Sequence, residues 1–191
     1  MKKFKGVILS ILLCTSVFML AGCGGESPSD VVSNYFNELK KGENSQIYKD
    51  LKASYTDDEL ANELDLDVNI DALSEESILI LINSFKNTQC TIISETVDGD
   101  NAVVSVNLNS PNIPQLLSDV MLKSISIGFT QIFSSNEVTE DSMNSALNDV
   151  LIECVQNITY NEKTGDISLT QIDGKWKMSN KDDLTKLFMA N

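Results

Sequence analysis

The chain has 191 residues, with 28 acidic residues against 14 lysines, and it contains neither histidine nor arginine. Those two absences exclude Ser-His-Asp and Cys-His catalysis, histidine metal sites, and guanidinium forks for phosphate or carboxylate. A formal net charge of −14 leaves no cationic footprint, which excludes nucleic acid as a partner.

Lys2, Lys3 and Lys5 give a basic start, and no charge follows from Gly6 to Gly25. Val7-Ile8-Leu9, Ile11-Leu12-Leu13 and Val17-Phe18-Met19-Leu20 form an apolar core, in the order of a secretory signal peptide. Leu20-Ala21-Gly22-Cys23 resembles the lipobox of bacterial lipoproteins. In that family small residues precede the cut, the cysteine thiol takes a diacylglyceryl group, and the cysteine becomes the new N-terminus. The resemblance therefore implies a signal peptide over 1–22, lipidation at Cys23, a tether over 23–28 and one domain over 29–191. The rival reading is an uncleaved transmembrane helix, weakened by Ser10, Thr15 and Ser16 and by the lack of a basic cluster after it. Both readings put the remaining chain outside the cytoplasm.

After cleavage 11 lysines face 28 acidic residues, a net charge of −17 on 169 residues. That length suits one domain with a real core. Cys14 leaves with the leader, and Cys90 and Cys154 remain in a compartment where a disulfide is chemically allowed. Both fall on apolar faces and read as buried thiols, with the disulfide left open as the alternative.

Gly24 to Pro28 is a short tether. A first helix follows, with Ser27 as cap, Pro28 at the first helical position and Asp30 at the positive end. Val31, Val32, Tyr35, Phe36 and Leu39 form its apolar stripe, and Lys40-Lys41-Gly42 end it. A short helix fits Ser45 to Leu51. Thr56 to Glu59 is a capping box for another through Leu64, and Leu64 to Asp71 alternates strictly. Ser74-Glu75-Glu76 opens a helix bearing Ile78, Leu81, Ile82 and Phe85; its acidic start favours helix over a strand at 78–82. Gln89 to Val97 and Ala102 to Asn109 alternate around Asp98-Gly99-Asp100-Asn101, which predicts a hairpin. Pro111 and Pro114 begin the most apolar mature stretch, Ile113 to Phe133. Thr139 caps a further helix with Met143, Leu147, Val150, Leu151, Cys154 and Ile158 on one face. A second hairpin is expected from Asp166 to Ile172 and Lys175 to Met178, around Asp173-Gly174. Ser179 or Asn180 caps a last short helix with Leu184, Leu187 and Phe188.

The order of these elements, with Pro28-Ser29-Asp30-Val31-Val32-Ser33-Asn34-Tyr35-Phe36, Leu39-Lys40-Lys41-Gly42 and Asp173-Gly174-Lys175-Trp176-Lys177, resembles small bacterial lipoproteins with domains of unknown function. Those domains have the cone-shaped fold of nuclear transport factor two and the cystatin-like proteins. The resemblance implies an α+β fold in which a curved antiparallel sheet packs on helices like a cone. Extra helices over 113–158 would be inserted between strands. Enzymes of that fold place acids or bases in the cone, often histidine. Nothing here matches such a site, so no catalytic residue is carried over.

Asp65, Asp67, Asn69 and Glu76 have the spacing of calcium-loop positions 1, 3, 5 and 12. The turn glycine is replaced by Ile70, so the stretch reads as a solvated acidic face, and no metal or cofactor is expected. Trp176, Tyr35 and Tyr55 read as packing residues. The reading is a binding or interaction module anchored by lipid to the outer face of the cytoplasmic membrane. Its expected partners are the membrane and either an apolar ligand or an envelope protein. A carboxylate enzyme in a cone pocket and a purely structural envelope protein are the alternatives. The apolar Ile113 to Phe133 helix, too broad for one covered stripe, is the expected site, the alternative being that the Met143 to Ile158 stripe covers its second side.

Overall fold

The structure is a computed structural model that describes residues 25–49, 73–133 and 139–190. Cys23, the expected helix within 56–64, the alternating stretch 64–71 and Tyr55 lie outside the described residues. The first helix, α1 (Pro28–Leu39), starts as its sequence requires. The Ser27 side chain accepts the Asp30 N–H, and Asp30 accepts the Ser27 N–H at 3.0 Å. Val32, Tyr35, Phe36 and Leu39 are buried along its stripe. A 3-10 turn (Gly42–Asn44) and a helical turn at 46–49 follow, the latter burying Ile47 and Tyr48. Ser74 caps α2 (Glu75–Ser84), which settles 78–82 as helix and buries Ile78, Leu81 and Ile82. A 3-10 turn (Phe85–Asn87) then leads to the sheet.

The sheet has four antiparallel strands in sequence order: β1 (Gln89–Asp98), β2 (Asn101–Pro111), β3 (Tyr160–Ile172) and β4 (Lys175–Met178). It is open, with β1 and β4 at its edges. Between β2 and β3 the chain makes two long helices, α3 (Ile113–Phe133) and α4 (Glu140–Gln156), and it ends in α5 (Lys181–Met189). The α+β fold with helices inserted between strands is therefore as expected. Both hairpins form where the turn sequences put them. Asp173 and Gly174 have φ of 53° and 73°, the left-handed pair that joins two strands with their natural twist.

One strand boundary departs from the sequence reading, and one strand carries a bulge that the alternation did not show. β3 begins at Tyr160 rather than Asp166, because its first half carries Asn161, Lys163 and Gly165 on the inward face where an apolar alternation would otherwise be legible. These residues are held by pairing with β2, from Pro111↔Tyr160 to Val106↔Gly165. In β1 the register shifts between Ile92 and Ser94, a bulge at the exposed Ile93 that changes the parity of the strand beyond it.

One face of the sheet carries Ala102, Val104, Val106, Leu108, Ile167 and Leu169, all buried. Helices α1 and α5 cover it. The Ser29 N–H donates to Glu95 Oε2 at 2.8 Å, and the Lys40 charge acts on Cys90, so α1 runs antiparallel to β1. The Ser168 N–H donates to Asp183 Oδ2 at 2.9 Å, and Lys163 Nζ donates to the Phe188 carbonyl at 2.8 Å, so α5 runs antiparallel to β3. Gly165 permits that approach, since a Cβ there would stand 3.0 Å from Leu187 Cδ1. Phe188 lies 6.3 Å from Phe36 and 5.7 Å from Phe85, ring centre to ring centre, and ties α1, α2 and α5 into one core.

Candidate functional site

Helices α3 and α4 form an arm that leaves the sheet at Pro111 and returns at Tyr160. Its root is fixed: the Asn112 N–H donates to the Thr159 carbonyl at 2.8 Å. The Asn112 side chain caps α3 by accepting the Gln115 N–H. Lys123 Nζ meets Glu153 Oε1 at 2.6 Å, which sets α3 antiparallel to α4. Asn148 of α4 accepts from the Ser74 N–H and the Ser77 hydroxyl, at 2.7 and 2.6 Å, and docks α4 on the start of α2.

Within α3, Ile113, Leu116 and Val120 are buried, and Leu117 packs partly against the core. Their spacing of three, four and one is a single helical stripe. The residues on the other side are also apolar: Met121, Leu122 and Ile125 are exposed, Leu122 by 63% and Ile125 by 45%. Met121 and Ile125 are four apart and Leu122 and Ile125 three apart, so they share one face. On α4 the Val150, Leu151, Cys154 and Val155 stripe is buried, while Met143, at the start of that helix, is exposed. From Ile113 to Ser126 the apolar pattern thus divides into a covered stripe and an uncovered one. The side chains from residue 127 to the end of α3, Phe129 included, lie outside the described residues. No helix among the described residues is long and apolar enough to cross a membrane.

The two helices of the arm carry mostly negative charge. Helices α3 and α4 contain Asp119, Glu140, Asp141, Asp149 and Glu153 against Lys123 alone. Lys123 is engaged by Glu153, whose hydrogen bond raises the lysine pKa.

The titratable groups elsewhere have structural causes. Asp30 is held below the usual carboxylate range by the Ser27 N–H and hydroxyl that it receives at the α1 cap. Burial pushes Glu38 upward, but Lys41 and the Gln46 N–H outweigh it and leave the carboxyl low. Burial raises the thiols of Cys90, to about 11, and of Cys154. Both are free thiols, as their apolar faces suggested. Trp176 is half-buried against the core, and Tyr35 lies within it, so both pack as read. Glu76 is exposed in the first turn of α2; the rest of the acidic stretch lies outside the described residues. Among the described residues no cluster of acidic or cysteine side chains has the makings of a metal site.

Two features escaped the sequence reading. Lys163 is buried, 5% exposed, on the inward face of β3. Burial lowers its pKa to about 8, and its ammonium caps the negative end of α5 at Phe188. The second is a set of inward polar side chains at the root of the arm, Thr88, Ser110 and Asn161, whose oxygens have no hydrogen-bond partner among the described residues.

No curated protein matches the chain. Among solved structures the chain is similar to a "putative lipoprotein (ycdA)" from Bacillus subtilis subsp. subtilis str. 168, at 16% identity and a TM-score of 0.41. The match covers 93% of this chain and 51% of that one, so this chain spans about half the length of that protein. By sequence, residues 21–112, which include α1, α2 and the β1–β2 hairpin, match the domain of unknown function DUF4878.

Proposed function

We propose that this protein is a lipid-anchored, extracytoplasmic binding module, and that it docks an envelope protein on the outer face of α3. The observation that carries the reading is the uncovered stripe of Met121, Leu122 and Ile125 on a helix whose other stripe buries Ile113, Leu116 and Val120. Leaving large apolar side chains in water gains nothing for folding. A contiguous patch of this kind marks an interaction surface. The net negative charge of α3 and α4 favours a partner whose apolar contact is accompanied by lysine or arginine. It also disfavours the anionic lipid surface itself as the occupant, because like charges repel there. The anchor is Cys23, by the lipobox resemblance, with the short tether to α1 holding the domain near the membrane. The module binds rather than catalyses: among the described residues the carboxylates with shifted proton affinity, Asp30 and Glu38, are lowered by local caps and a lysine. A general acid at neutral pH needs the opposite shift.

The test has two arms. A photo-reactive side chain at position 122, in cells, should crosslink one envelope protein, and Ile125→Glu should abolish the crosslink without changing thermal stability. A probe at Asn107, on the opposite face of the sheet, should not give that product. Equal crosslinking from both positions refutes the docking face. Separately, Cys23→Ser should leave the leader uncleaved and the protein without acyl chains. A mature mass unchanged by that substitution refutes the anchor.

A further inference from the structure

The sheet register assembles a polar row inside the protein. Ser110 pairs with Asn161 across β2 and β3. On the other side Gln89 pairs with Asn109, and Thr88 is extended with φ −61° and ψ 134°. Continuing the β1–β2 register by one residue therefore brings Thr88 opposite Ser110. Directly paired residues point to the same face. Ser110 has the parity of Ala102, Val104, Val106 and Leu108, so all three side chains point inward. Thr88 is 1% exposed and Ser110 0%. Thr88 Oγ1, Ser110 Oγ and Asn161 Oδ1 are all buried without a hydrogen-bond partner among the described residues.

Three orphaned polar atoms in one row are costly. Each buried hydroxyl or amide oxygen left unpaired loses about 1–3 kcal/mol of solvation. Independent strain would scatter such atoms over the molecule, yet three of the four that are found stand side by side; Ser124 on α3 is the fourth. The row lies where three helix-to-sheet crossings meet: the Phe85–Asn87 turn entering β1, β2 leaving for α3, and α4 returning to β3.

We propose that Thr88, Ser110 and Asn161 form an internal hydration site that holds one ordered water in each of its two gaps. Neighbouring Cβ atoms across a sheet are ~5 Å apart. A water with hydrogen bonds of ~2.8 Å to either side spans such a gap. Water also matches the chemistry of the row. Asn161 Oδ1 only accepts, whereas the two hydroxyls both donate and accept. A ligand that donates to one neighbour and accepts from the other satisfies all three. A cation does not suit the row, because the Lys163 ammonium is two residues along the same inward face of β3. An anion lacks the hydrogen that Asn161 Oδ1 requires. A small neutral donor-acceptor remains, and buried water bonded to otherwise unpaired groups is the common case.

The experiment reads hydration and stability together. In the folded wild-type protein, nuclear Overhauser contacts to long-lived water should appear at the Thr88 methyl and the Ser110 β protons. Thr88→Val keeps the shape and removes the hydroxyl. If water is bound, it should lower the folding equilibrium constant by roughly 5- to 30-fold. Ser110→Ala should act in the same direction. The double substitution should cost less than the product of the two, because one water serves both hydroxyls. A Thr88→Val protein more stable than wild type would show that the hydroxyl was simply unpaired, and would overturn the proposal. So would water contacts missing at both residues, or single effects that multiply fully.

Discussion

Lys163→Met isolates the energetics of a lysine buried in the core face. In the wild type, burial lowers the ammonium pKa from 10.5 to about 8. The unfolded chain keeps the ordinary value, so below pH 8 both states carry the proton and the folded state bears the whole cost of the buried charge. Between pH 8 and 10.5 the folded state releases its proton first. The unfolded state then binds more protons, and stability rises with pH across that window. At ~1.4 kcal/mol per tenfold change in proton affinity, the relief is roughly 3 kcal/mol. Methionine has similar length and no charge, so it removes this cost at every pH. It also leaves the Phe188 carbonyl, now accepting at 2.8 Å, without its donor, a loss of about 1–3 kcal/mol. The two nearly cancel at pH 7, where wild type and variant should differ by less than about 2 kcal/mol.

The informative quantity is how that difference changes with pH. Burial also holds the Cys90 thiol up near 11, so its proton stays on the folded protein after the unfolded thiol has ionised, and stability falls between about pH 9 and 11. Tyr160, raised chiefly by burial, acts in the same sense. Both groups are present in wild type and variant, so subtraction removes them. Urea unfolding at pH 7, 8, 9 and 10, under reducing conditions, should show wild type gaining on Lys163→Met by about 2–3 kcal/mol, with most of the gain above pH 8. A difference constant within ~0.5 kcal/mol over that range would mean that Lys163 is hydrated in the folded state, and the capping role would fall with it.

On α3, Leu116→Ala should cost about 2–5 kcal/mol, whereas Leu122→Ala should cost under ~0.5 kcal/mol, as thermal unfolding would show; equal losses would mean that the outer stripe is covered. Gly165→Val should destabilise by roughly 1–3 kcal/mol by driving a branched side chain into Leu187, and adding Leu187→Ala should recover part of the loss in a double-mutant cycle. Cys90 and Cys154 should both titrate as free thiols after denaturation without reductant. In the native protein at pH 8 Cys90 should react far more slowly with a thiol reagent than in urea, because its thiol is protonated and half-buried; a protein without free thiols refutes this.

The framework of helices and hairpins was legible because it rests on local rules. Ser27 with Asp30, Ser74 with Ser77, and Thr139 with Ser142 close the helix starts that their sequences announce. Asp173-Gly174 specifies its turn by backbone conformation alone. The covered stripe of α3 was legible too, as period and apolarity. Which stripe would be covered was not, because that depends on where α4 lies, and the Lys123–Glu153 pair that marks its alignment joins residues far apart in sequence.

The internal polar features were hidden for a stronger reason. A strand is recognised by apolar residues on alternate positions, and the inward face of β3 runs Asn161, Lys163, Gly165 before it reaches Ile167 and Leu169. Each of the first three breaks the pattern because it serves a neighbour. Asn161 completes the polar row with Ser110, Lys163 caps α5, and Gly165 makes room for Leu187. Seen from the sequence, the same residues read as loop. Their placement follows only once β2 supplies a register, which pairs Leu108 with Lys163 and fixes the parity of the whole strand. Shifting that register by one residue would turn Ile167 and Leu169 to the solvent face. Burying that pair is worth roughly 3–6 kcal/mol, which favours the register that keeps both inward. The apolar half of β3 therefore dictates where its polar half goes. Replacing Ile167 and Leu169 by threonine should loosen the Lys163 cap and the polar row together, while Lys163→Met should leave the register intact.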